Sequence, residues 1–155
     1  VSDLRTLTVR QPWADAFFFP DNPKDVENRT WGTDYRGDVA IIAARTVDTA
    51  ALADVTVPDG HGLMATSGVI GVVTLTDIHE YGDTTCAETP YLQHGRWSLA
   101  EARSGRPVRH WMLTNPRKFT VPLSGTGHLG LRTPDRTLAA DIHAALAALS
   151  KEQNA

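Results

Sequence analysis

The sequence predicts an α+β fold, a small mixed β-barrel of about five to six strands with helices packed around it. Three observations carry this. Several short runs rich in β-branched and apolar residues are bounded by Gly, Pro and Asn. They do not alternate with helices in the βαβ order of a parallel sheet. An Ala/Leu-rich stretch with helical spacing comes near the end of the chain. The length of 155 residues favours one domain over 1–155 with one core, large enough to fold without staples.

Taken in order, residues 4–9 read as a first strand. Gln11-Pro12 then starts a helix, with Pro at a position where its missing N–H costs nothing. Trp13, Ala14, Ala16, Phe17 and Phe18 are its apolar content, and Pro20-Asp21-Asn22-Pro23 ends it in a turn. Residues 26–31 are expected to be extended. Alternation along a strand then puts Glu27, Arg29 and Trp31 on one face. Residues 38–44 ("DVAIIAA") read as a buried strand. Residues 47–55 read as a short helix with Asp48 as N-cap, and 56–67 as a loop. Residues 68–78 ("GVIGVVTLTDI") give the strongest strand signal. Residues 81–107 are long, irregular and rich in Gly, Thr and Pro, and a lid or binding loop is expected there. Residues 108–114 form another strand, "NPRKF" a turn, and 127–132 a last short strand. A helix over 135–149 begins near Asp135. It carries Leu138, Ile142, Ala145 and Leu149 on one face, and that face is expected to cover the chain's own barrel, leaving a monomer.

Charge is unevenly placed. The formal net charge is −3, yet residues 51–95 hold six acidic residues and no Lys or Arg. Residues 96–136 hold eight basic residues against two acidic ones, a local balance of +6. Such asymmetry suits a basic face for phosphates, and equally a solvated strip paired with the acidic stretch. The single cysteine, Cys86, excludes an intramolecular disulfide. Together with the lack of an apolar run long enough for a membrane span and of a signal-peptide pattern, it suggests a cytoplasmic protein without membrane partners.

Several chemistries are disfavoured. His61, His79, His94, His110, His128 and His143 show no i, i+4 zinc spacing, so no metal is expected. Gly125, Gly127 and Gly130 spell G-x-G-x-x-G, but a strand-like segment follows where a dinucleotide site needs a helix. No G-x-S-x-G elbow occurs, and the acidic setting of Cys86 disfavours a thiolate nucleophile. No cofactor is expected.

The stretch "PKDVENRTW" is different. Lys24 and Arg29 suit phosphate or a base carbonyl, and Glu27 suits an exocyclic amine or the orientation of Lys24. Trp31 and Tyr35 offer faces for stacking, and Arg36 follows them. Gln11 and Trp13 are expected to border the same cleft, with Arg109, His110, Arg117 and Lys118 extending its basic surface. The same residues also suit a structural role: ion pairs for Glu27 and Arg29, core packing for Trp13 and Trp31.

"LTVRQPWADAFFF", "KDVENRTW", "YRGDVAIIAA", "GVIGVVTLTDI" and "HWMLTNPRKFTVPLSGTGHLGLR", in this order over residues 4–132, resemble the ASCH domain (activating signal cointegrator homology) family. The resemblance implies a PUA-like barrel with a cleft lined by the K-x-x-E-x-R stretch, here Lys24, Glu27 and Arg29. Relatives of that family include nucleic-acid-binding modules, readers of modified bases and a few small enzymes. One enzyme type removes the acetyl group from acetylated cytidine with a lysine, a threonine three positions later and a distant glutamate. Lys24 matches that lysine, but Glu27 stands at the threonine position. Asn22 replaces a family glycine, and asparagine tolerates the left-handed backbone a turn there needs. The closing N-P segment resembles the nucleic-acid-binding type. The resemblance therefore implies a module that binds RNA, DNA or a nucleotide. A small hydrolase using Lys24 and Glu27 on a modified nucleoside or on RNA is the alternative, and a protein-interaction domain a third.

Overall fold

The computed structural model describes residues 3–53, 55–58, 67–81, 97, 99, 102 and 104–155. Cys86, His61, His94 and most of the loop expected over 81–107 lie outside the described residues. Among the described residues, six strands form one sheet: β1 (Leu4–Val9), β2 (Val26–Arg29), β3 (Gly37–Ala43), β4 (Gly68–Glu80), β5 (Arg109–Ser124) and β6 (Leu131–Arg132). Their order is β2-β5-β4-β3-β1-β6, and the sheet curls into a half-barrel. Only β1 and β3 run parallel, in register from Leu4 opposite Asp38 to Val9 opposite Ala43; the other pairs are antiparallel.

Strand β3 shows why the sequence folds this way. Its side chains alternate between two apolar environments. Val39, Ile41 and Ala43 join Leu7, Phe17, Ile70 and Trp111 in one layer, together with Ala14 of the short helix α1 (Trp13–Ala16). Ala40 and Ile42 face the other way, with Val69, Val72 and Phe119. That second layer is covered by α2 (Arg136–Gln153), through Leu138, Ile142, Ala145, Leu146 and Leu149. The expected helical face thus packs on the chain's own sheet, with Ile142 buried and its neighbours half-buried. Asp135 caps α2, its carboxylate accepting from Leu138 N at 2.8 Å. Where α1 leads into Phe18, the chain presses close on β4: a Cβ on Gly71 would lie 2.6 Å from the Phe18 ring. The same Cβ would lie 2.6 Å from the Arg117 carbonyl oxygen of β5, so a side chain there would strain the β4–β5 pairing as well as displace the Phe18 ring.

Three local expectations are corrected. "NPRKF" is not a turn. It lies inside β5, which runs unbroken for 16 residues. The pairing with β4 shifts between Val72 opposite Arg117 and Thr74 opposite Thr114. Asn115 takes a left-handed backbone there, φ 51°, so the Asn-Pro pair is absorbed as a bulge. The helix expected over 47–55 is only a 3₁₀ turn, Ala51–Ala53, although Asp48 does accept from Ala51 N at 3.2 Å. The last strand is two residues long, Leu131–Arg132. Among the described residues, no helix is long and apolar enough to cross a membrane.

Candidate functional site

The seam of the half-barrel, where the edge strand β2 comes near β1, holds the chemistry. Asn22, with φ 50°, turns the chain toward β2, and Lys24 N donates to Ala16 O at 2.8 Å. These two features carry the Lys24 side chain inward. It is buried over the Phe17 ring, its Nζ 4.5 Å from the ring centre. Its Nζ donates to Val26 O at 2.6 Å and to Glu27 Oε2 at 2.5 Å. Glu27 Oε1 lies 3.0 Å from Arg29 Nε. Arg29 Nη2 reaches across the seam to Thr8 O at 3.1 Å. Glu27 is therefore held between two cations, and Arg29 ties β2 to β1.

Burial sets the electrostatics. Desolvation pulls the Lys24 amine below its ordinary value, only partly offset by the charge and hydrogen bond of Glu27. For Glu27 burial pushes upward, but the charges of Lys24 and Arg29 outweigh it and hold the carboxyl below the usual range. A buried lysine with a weakened hold on its proton, donating to a carboxylate, is a strong hydrogen-bond donor and a usable proton-transfer group.

This pair opens on a cavity of about 290 Å³. Trp13, Asn28, Asp48, Trp97 and Leu99 complete much of the wall. The two tryptophans meet edge to face, 6.2 Å between ring centres, and Trp13 Nε1 donates to Asp48 Oδ2 at 3.3 Å. Asn28 pins the opposite side: its amide nitrogen donates to Trp97 O at 2.7 Å, and its oxygen accepts from Leu99 N at 2.9 Å. His110 Nε2 lies 2.7 Å from Leu99 O, and burial lowers the pKa of its ring. A neutral ring with its proton on Nε2 would donate to that carbonyl. On the other side of Glu27 and Asn28, a more open cleft of about 510 Å³ runs along the seam. Its walls include Arg10, Arg29, Arg45 and His128, and Trp13 borders both spaces.

The structure thus gathers Lys24, Glu27, Arg29 and Trp13 from the residues singled out in the sequence. It places the others outside both spaces. Gln11 is buried behind α1, bonded through its side chain to Asp15. Trp31 packs on Trp111 with ring centres 4.8 Å apart. The Tyr35 hydroxyl donates toward the carbonyls of Asp3 and Asp38, and burial with the charge of Asp3 pushes its phenol up to about 12. Arg36 is exposed and bonded to Thr33 O and Tyr35 O. Arg109 pairs with Glu80 at the surface. His110 supports the cavity wall from behind. Arg117 holds Asp38 and Thr74, and Lys118 lies 3.9 Å from buried Asp15.

Sequence reasoning missed Arg10, Asn28, Arg45, Asp48 and Trp97. Arg10 and Arg45 each follow an apolar strand closely, but nothing local in the sequence says that those two strands pair in parallel and end together. Among the described residues, no group of three or more His, Cys, Asp or Glu side chains forms a metal-binding cluster.

The chain is similar in structure to the ASCH protein from Zymomonas mobilis, with 14% identity and a TM-score of 0.60, covering 92% of this chain and 94% of that one. Two mutants of that protein give TM-scores of 0.59 at 13% and 14% identity, with 92% of this chain covered in each case and 98% and 95% of theirs. At such identities the likeness is one of fold. No curated protein matches the sequence. The sequence model of the ASCH domain matches residues 7–123, most of the chain, and its site stretch falls within that match: the chain belongs to the ASCH domain family.

Proposed function

We propose that this chain is a nucleic-acid-binding module that takes one base of a single strand into the cavity beside Lys24. The observation that carries this is the convergence, in one space, of two tryptophans with a buried lysine and carboxylate, at the inner end of a basic cleft. Aromatic walls stack on any base, and a few fixed polar groups read its edge. Lys24 Nζ is the donor for a base carbonyl. Glu27, with both oxygens engaged, orients Lys24 instead of reading an amine itself. The outer cleft follows the backbone. The protein's overall charge of −3 fits a local, selective contact better than indiscriminate wrapping of duplexes.

Fluorescence anisotropy with short single- and double-stranded RNA and DNA, at low and moderate salt, tests the reading. Single strands are expected to bind with a salt-dependent affinity. Trp13→Ala is expected to weaken binding by about 1–3 kcal/mol, the usual worth of one stacked base. Lys24→Met, which keeps an apolar stem in the buried site, is expected to weaken it at constant salt slope. Absence of binding to all four nucleic acids would reject the proposal.

One observation favours a second reading. A buried amine with a lowered pKa, bonded to a carboxylate, also suits general base catalysis of amide hydrolysis on a modified nucleoside. In that reading neutral Lys24 takes a proton from a water as its oxygen bonds to the amide carbonyl carbon, and the ammonium so formed, held by Glu27, gives the proton to the cytosine amine as the C–N bond breaks, leaving the acid and the free base amine. Incubation with acetylated cytidine separates the two readings. Product formed by wild type and lost in Lys24→Met would establish turnover.

A further inference from the structure

We propose that Arg10 and Arg45 form a subsite for the phosphate of the nucleotide whose base fills the inner cavity; this rests on the nucleic-acid reading above. Strands β1 and β3 run parallel and end together, Val9 opposite Ala43. Ala44 N then donates to Val9 O at 2.8 Å, so the two chains leave the sheet side by side. Arg10 and Arg45 are the cations carried on those exits, and both line the seam cleft. Each is exposed, and neither has a hydrogen-bond or ion-pair partner among the described residues. The other charged groups in that cleft are already engaged. Among the described residues, Glu27 is the one carboxylate lining it, with its oxygens taken by Lys24 and Arg29. Arg29 is committed to Glu27 and Thr8, and the His128 ring lies 2.7 Å from Thr6 Oγ1. Among the described residues, the cleft is thus left with two unneutralised guanidinium groups, whose forked donors match phosphate oxygens.

The cleft's other features point to a phosphate on a nucleotide over a bare anion. Leu129 stands on its rim, 89% exposed, at the start of a turn in which Gly130 takes φ 74°. An apolar side chain in that place offers contact to a sugar or a neighbouring base, and nothing to inorganic phosphate. The cleft also shares Trp13, Glu27 and Asn28 with the inner cavity. A single ligand can therefore span both, with its base inside and its phosphate between the arginines.

The test is calorimetric titration of wild type, Arg10→Ala/Arg45→Ala and Arg10→Lys/Arg45→Lys. The ligands are the four ribonucleosides, their 5′-monophosphates, and mixed-sequence eight-nucleotide RNA and DNA single strands, each at two salt concentrations. Folding of the variants is verified by thermal melting. Wild type is expected to bind a phosphate-bearing ligand about tenfold or more tightly than the matching nucleoside. The alanine variant is expected to lose that advantage, with the salt slope for the single strands falling by roughly 0.7, the share of one neutralised phosphate on a single strand. The lysine variant is expected to keep the slope and lose part of the affinity. A gain shown by the monophosphates identifies a terminal phosphate, and one shown by the single strands alone a backbone diester. If a folded alanine variant binds single strands with wild-type affinity and slope, the subsite assignment is wrong while the nucleic-acid reading stands. If wild type binds no ligand in the set, both fall together.

Discussion

Two ion clusters in this molecule look alike on paper. In one, Glu27 lies between Lys24 and Arg29; in the other, Asp38 takes both terminal nitrogens of Arg117, at 2.7 and 3.2 Å, with Thr74 close by. The Asp38 cluster joins β3, β4 and β5, and its side chains remain about a quarter exposed, 22% for Arg117 and 29% for Asp38. It borders neither space of the seam, and its geometry is accounted for by strand cohesion. The Lys24–Glu27 pair is far drier, with side-chain exposures of 4% and 10%, while Arg29 at 24% matches Arg117; that pair opens on a cavity walled by tryptophan. A buried ion pair seldom adds net stability over an apolar pair of the same volume. The sheet gains little from retaining one here, whereas a ligand gains a fixed donor. Burial without a cavity is architecture; burial beside an aromatic cavity is what a binding site requires.

The contrast can be broken most forcefully at Glu27. Glu27→Ala leaves the Lys24 amine buried without its carboxylate, and about 3–5 kcal/mol of stability is expected to be lost. Urea denaturation reads this directly, and a loss below about 1 kcal/mol would mean that Lys24 escapes to solvent when released. Arg117→Ala is expected to cost less, about 1–2 kcal/mol after allowance for solvent screening, because its bonds are to charged yet partly exposed groups. Nucleic-acid affinity should not change in that variant. If it fell with the fold intact, Arg117 would belong to the site.

Asn28→Ala is expected to cost about 1 kcal/mol in stability. It should also weaken single-strand binding several-fold at unchanged salt slope, since it frees a wall and removes no charge. A changed slope would contradict that role. The smallest effect is in acid. Burial pushes the Asp38 carboxyl up, but the hydrogen bonds from Arg117 and Thr74 and the charge of Arg117 outweigh it, so its pKa is lowered in the fold. A carboxyl lowered in this way contributes stability above its unfolded value of about 4 and loses it as pH falls through the folded value. Denaturation midpoints measured from pH 5 down to 2 should fall for wild type and fall less steeply for Asp38→Asn. Equal slopes would detach Asp38 from the acid response.

The strands over 4–9, 37–43 and 68–80 were legible in the sequence because their side chains are buried by simple alternation or on both faces. Continuity of β5 was hidden. Asn115-Pro116 is turn chemistry by every local rule, and only pairing with β4 on both sides makes it a bulge. The Lys24, Glu27 and Arg29 cluster was legible because its members lie within six positions. Arg10 and Arg45 were not, because they are 35 positions apart in the chain and a parallel strand pair brings them together. Asn28 looked like filler between charged neighbours, and its bonds to Trp97 and Leu99 arise only from tertiary placement. Arg117 and Lys118 attracted attention by charge alone, which carries no information on whether a partner is near.

The parallel ending of β1 and β3 has a consequence for how such a protein diversifies. Arg10 and Arg45 stand one or two steps beyond the last paired residues, Val9 and Ala43. Their replacement leaves the ladder and both apolar layers as they are. Lys24 and Glu27 have no such freedom, because each is the other's reason for being tolerated in the interior. Mutation can therefore drift through the outer pair at little risk, exchanging one ligand's charge or length for another's, while the inner pair stays fixed by the cost of changing either half alone. A lineage built on this scaffold would vary first in what it tolerates at its entrance, and last in the chemistry it performs at its floor.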